Sequence, residues 1–96
     1  MTGIVRILDK HVGHAGAGVP FHQTFFNKGS PTVFANDRKV VRQGDTCVCG
    51  DAAAAHSATV FANGIPVHRI GDATTGHGAW VPNSAQTGSN NVIVGS

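Results

Sequence analysis

A block of sixteen residues occurs twice, 27 positions apart, and no other feature of the chain constrains its fold as tightly. Ser30-Pro31-Thr32-Val33-Phe34-Ala35-Asn36 returns as Ser57-Ala58-Thr59-Val60-Phe61-Ala62-Asn63. The likeness runs on from Val40-Val41-Arg42-Gln43-Gly44-Asp45 to Val67-His68-Arg69-Ile70-Gly71-Asp72, with ten of the sixteen positions identical. A repeat of this period is one supersecondary unit used more than once. The first half of each copy is a run of β-formers ending at Asn36-Asp37 or Asn63-Gly64, residue pairs that tolerate the positive φ of a tight hairpin turn. The second half, Val-x-Arg-x-Gly-Asp, supplies the returning strand and another turn.

The two ends of the chain complete a third copy. Ile4-Val5-Arg6-Ile7-Leu8-Asp9 resembles a second half, and Gly88-Ser89-Asn90-Asn91-Val92-Ile93-Val94 a first half. If these two pair, three hairpins close into a ring with pseudo-threefold symmetry. Three loops, 10–28, 46–55 and 73–87, then converge at one end.

Composition agrees with short strands. The chain of 96 residues has room for one domain, and a core this small often needs a metal or a partner. Charged residues make up 12%, well below the roughly 25% of ordinary domains, and the β-branched content is too high for a disordered tail. A formal charge of +2 without a Lys/Arg run argues against nucleic acid as a partner. Residues 1–10 lack the pattern of a signal peptide, and no stretch approaches the ~20 apolar residues of a membrane span.

The converging loops carry most of the histidine and both cysteines. Counting from the Asp that ends each second half, His14 follows Asp9 by five residues, Cys49 follows Asp45 by four and His77 follows Asp72 by five. Three thiol or imidazole groups in equivalent slots are candidate ligands of one ion, and a closed structural zinc site takes four. His56 ranks first for the fourth place, with Cys47 and His11 as runners-up; His22 and His68 read as structural or surface residues. Zinc suits the mixed set, and ferrous iron is possible. A disulfide between Cys47 and Cys49 would close a strained, tiny loop. The three Arg-x-x-Asp spacings read as turn structure, and Phe21, Phe25, Phe26 and Trp80 as core or as a partner surface.

Several stretches are similar to the PAAR-repeat family: Gly29 to Asn36, Asn63-Gly64-Ile65-Pro66, Arg69-Ile70-Gly71-Asp72 and Gly88 to Gly95. The name-giving Pro-Ala-Ala-Arg slot reads Pro66-Val67-His68-Arg69 in one copy and Lys39-Val40-Val41-Arg42 in the other. The resemblance covers nearly the whole chain. It implies an all-β cone of short hairpins over residues 1–96, without an extension domain, and a metal near the point held by His14, Cys49, His77 and His56. It also implies a non-enzymatic sharp tip that caps a trimeric β-helical spike in a contractile phage tail or type VI secretion system. Such a tip touches the target-cell envelope transiently, takes no small-molecule substrate, and travels on the virion tail or the exported spike. A small zinc enzyme or metal-binding module is the competing reading. The sequence contains no Glu, and its Asp residues sit mostly in repeated turn slots, so no unique general base stands out.

Overall fold

Eight strands of two to four residues form four antiparallel hairpin pairs in the computed structural model, which describes residues 2–16, 18–77 and 80–94. The repeat sets three of the pairs. Strand β4 (Phe34–Ala35) returns as β5 (Arg38–Lys39), and β6 (Phe61–Ala62) returns as β7 (Ile65–Pro66). Between them Asn36, Asp37, Asn63 and Gly64 all have φ between +54° and +76°, as two-residue hairpin turns require. The third pair joins the chain ends: β1 (Thr2–Gly3) lies against β8 (Ile93–Val94). The remaining pair, β2 (His14–Gly16) with β3 (Val19–His22), belongs to the first long loop, and among the described residues no strand pair answers it in the other units.

The three second halves close around a common axis. The amide of Val5 donates to the carbonyl of His68, that of His68 to Val41 and that of Val41 to Val5, at 2.8–3.0 Å. Single bridges Ile4–Arg69, Arg6–Val40 and Arg42–Val67 join the same strands in a cycle. Each unit is pinned at its start by a buried serine: Ser30, Ser57 and Ser89 each accept two backbone amides on Oγ. This ST-turn chemistry explains why serine recurs at that position. Apolar side chains fill two layers. Ile4, Ala35, Val40, Ala62, Val67 and Val94 form one, and Val5, Phe26, Val41, Cys47, Ala53 and Ala85 the other.

His68 stands on the axis where the other units place valine. It is fully buried, packs edge-on against Phe26 and donates from Nδ1 to Ala55 O. Burial lowers its pKa from the ordinary imidazole value, so the ring is neutral and its place is structural.

Each Arg-x-x-Asp pair proves to be a staple. The Asp carboxylate accepts both the amide of the Arg and its guanidinium, for Arg6/Asp9, Arg42/Asp45 and Arg69/Asp72 alike. Between Arg and Asp the chain turns through a left-handed residue: Gly44 and Gly71 have φ of 89° and 87°, but the first unit uses Leu8, with φ 74°. An L-residue pays about 1–2 kcal/mol there, and the Leu8 side chain is largely exposed. Leu8→Gly is therefore expected to stabilise the fold by about 0.5–1 kcal/mol, after glycine's greater chain entropy in the unfolded state is subtracted. Thermal unfolding should rise by several degrees; a fall would mean that the Leu8 side chain holds the loop more strongly than its exposure suggests.

Candidate metal centre

The long loops interlock at the end of the molecule away from the hairpin turns. Bridges Phe26–Cys47, Ala53–Thr74 and His11–Ala85 tie each loop to another, and Ala73–Ser84 closes the third loop on itself. Gly76 lets the third loop fold sharply: its φ is +76°, and a Cβ there would lie 2.7 Å from Trp80 O. His77 is thereby turned inward.

Ligand-capable atoms of His14, His22, Cys49 and His77 all lie within 4.8 Å of one another. The three Nε2 atoms form a triangle, with His14–His22 at 2.6 Å and both other sides at 3.2 Å. His14 donates its Nδ1 proton to Val81 O at 2.7 Å, so its Nε2 presents a lone pair to the centre. The protons of neutral rings cannot relieve three nitrogens crowded this closely on every side, whereas a cation between them can. Tetrahedral zinc with bonds of about 2.0–2.1 Å puts its nitrogens roughly 3.3 Å apart, close to two of the three separations here. The donor set therefore fits a four-coordinate ion held by three imidazole nitrogens and one thiolate sulfur.

Aromatic packing holds the rings. Trp80 stacks on both His22 and His77, with centroids 4.8 and 5.0 Å away, and its indole N–H donates to Pro20 O. Partial burial, and then the charges that His14 and His77 would carry, push the His22 pKa below the ordinary imidazole value. Protons are thus disfavoured where an ion is wanted.

Sequence reasoning named His14, Cys49 and His77, and the structure brings these three together. The fourth member of that group is His22. His56 does not join the group; its Nδ1 is bonded to Ser57 O beside the second hairpin, at the start of a repeat unit. His22 stands there instead, although from sequence it reads as a structural or surface residue. The antiparallel register of β2 and β3 sets His22 opposite His14. Both runners-up lie just outside. Cys47 is buried in the core, where burial raises its thiol pKa far above the ordinary value.

His11 is buried behind Cys49. Its Nε2 accepts the Thr24 amide at 3.0 Å and lies 3.6 Å from the Cys49 sulfur, while Nδ1 faces the Asn83 carboxamide at 2.6 Å. Burial, followed by the neighbouring histidines His14, His22 and His77, lowers its pKa to about 4 even though Asp51 raises it, so the ring is neutral. The Thr24 hydroxyl donates to the Cys49 sulfur at 3.2 Å, a donor suited to a thiolate. Of the three phenylalanines, Phe26 is core; Phe21 and Phe25 are exposed on the first long loop, with Phe21 packed over Gly13 beside the histidines.

Comparison with known proteins agrees with the fold. No curated protein matches the chain at a significant level. The family model for the PAAR motif matches residues 19–83, about two thirds of the chain. The chain belongs to the PAAR-motif family, whose place is the spike tip of contractile injection systems.

Proposed function

We propose that the chain caps a trimeric β-helical spike with its hairpin face and leads with the metal-pinned end as the machine breaches a target envelope. One observation carries the reading. Equivalent apolar pairs stand exposed on the three hairpins: Val33 and Phe34 at 37% and 54%, Val60 and Phe61 at 37% and 54%, Val92 and Ile93 at 38% and 45%. One chain has copied itself internally to present the same apolar contact three times about an axis. A partner with true threefold symmetry offers three matching sites. Repeated exposure of large apolar side chains marks an interaction surface, and the short hairpins add open strand edges for backbone pairing.

Four protein donors around one point leave no position for a reactive water, which supports a structural ion over a catalytic one. Asp51, the carboxylate nearest the group, has both oxygens occupied by protein donors, so no general base is free there. Either origin, a phage tail or a secretion spike, suits this arrangement.

The test is co-purification with the trimeric spike. The variant Phe34→Glu/Phe61→Glu/Ile93→Glu is expected to lose the association while its unfolding temperature barely moves, because these side chains are exposed. Undiminished capture by the spike would sink the reading.

A further inference from the structure

Asp51 stands apart from the other acidic residues. Asp9, Asp45 and Asp72 each hold an arginine, and Asp37 is exposed in a hairpin turn. Asp51 is fully buried and, among the described residues, has no Arg or Lys partner. Its Oδ1 accepts the Gly76 amide at 2.6 Å, and its Oδ2 accepts the Thr74 hydroxyl at 2.6 Å. Both oxygens act as acceptors, as a carboxylate's do. Its carbonyl also takes the amide of Cys47 at 2.8 Å.

These bonds link the parts that carry the donors. Asp51 follows Cys49 by two residues, grips the residue just before His77, and sets Oδ2 3.8 Å from His14 Nδ1. Asp51, His11 and His14 themselves have ligand-capable atoms within 4.8 Å of one another. The Asp51 oxygens already accept Thr74 and Gly76, the His11 Nε2 lone pair accepts the Thr24 amide and leaves the Nδ1 proton facing the Asn83 carboxamide, and the His14 Nδ1 proton goes to Val81 O. That group is support for a neighbouring ion and does not hold a second one.

A buried charge without a partner is costly. We infer that Asp51 is the positioning and charge-balancing residue of the metal centre. It ties the Cys49 loop to the His77 loop, and with the Cys49 thiolate it neutralises a divalent ion. This selects M(II) over a soft monovalent ion that the same imidazole and thiolate donors would accept. The inference rests on the metal-centre reading above and adds to it which ion charge the site prefers.

The experiment compares wild type with Asp51→Asn as full chains, measuring Zn(II) and Cu(I) affinity by chelator competition and the unfolding temperature of the metal-free form. Loss of a partner once removed from a metal typically costs 10–100-fold in affinity. The expected result is a zinc affinity about 10–100-fold lower, a smaller change for Cu(I), and no matching loss of metal-free stability. Equal losses for both ions, or unchanged zinc affinity, would overturn the inference and leave the metal centre standing. A wild-type chain that binds no zinc would instead overturn the metal centre and the inference with it. Should Asp51→Asn not fold, Asp51→Ser removes the same charge without placing an amide donor against the Gly76 N–H, and the two affinities are read in the same way.

Discussion

His22→Ala is expected to weaken zinc binding by more than about 100-fold, beyond what loss of a once-removed partner costs, whereas His56→Ala leaves it unchanged. The two residues exchange roles between sequence and structure, so this pair of variants is the sharpest test of the centre. His22 contributes one corner of the Nε2 triangle, 2.6 Å from His14 and 3.2 Å from His77. His56 is bonded to Ser57 O at the start of a repeat unit. Because ordering three loops around an ion makes binding free energy into folding free energy, the loss should also appear as stability. Zinc should raise the unfolding temperature of wild type and His56→Ala by a similar, large margin, and that of His22→Ala by little. Chelator should shrink the difference to what the stacking of His22 on Trp80 and His77 contributes to the metal-free forms. If His56→Ala lost the ion and His22→Ala kept it, His22 would not be the fourth ligand.

The fold was legible because it is written three times. Identical residues at a period of 27 located two hairpins, and the matched fragments at the termini located the third, which β1 and β8 complete. His14, Cys49 and His77 were legible for the same reason, since each sits at a near-constant distance from the Asp of its own unit. His22 was not, because it lies on the β2–β3 strand pair that, among the described residues, the first loop alone carries, where counting from an Asp has no meaning. A weaker signal was present: His14 and His22 are equidistant from Gly18, and a hairpin centred there faces one with the other. Asp51 escaped notice because its role is contact across loops, with Thr74 and Gly76 more than twenty residues away. The Arg-x-x-Asp pairs were visible as spacing, but their strength was not. A pair on an exposed turn gives about 0–1 kcal/mol, and only the structure shows how far Asp9 is buried and what else it holds.

Asp9→Ala is expected to destabilise the metal-loaded protein by about 3–5 kcal/mol, the range for removing one partner of a buried ionic group. Its carboxylate accepts the Arg6 amide, two Arg6 guanidinium nitrogens, Arg38 and the Thr87 hydroxyl. Removing it leaves two guanidinium groups without their shared counter-charge. Asp45 and Asp72 each hold a single arginine, so Asp45→Ala and Asp72→Ala should cost less, about 2 kcal/mol each. For a chain of this length the Asp9 variant should unfold more than about 12 °C earlier. Acid provides an independent check. Burial alone would raise the Asp9 pKa, but bonds from the Arg6 side chain, the Arg6 amide and Thr87, with the Arg6 charge, outweigh it and hold the pKa below the usual 3.8. A carboxyl lowered by folding contributes stability above its unfolded pKa and loses it as pH falls through the folded value. With the ion removed by chelator beforehand, wild type and variant are compared metal-free below about pH 4. There wild type should keep losing stability as pH drops, and Asp9→Asn should show a flatter decline. Parallel acid limbs, or equal costs for Asp9→Ala, Asp45→Ala and Asp72→Ala, would mean that the three staples share the load and Asp9 holds no special place.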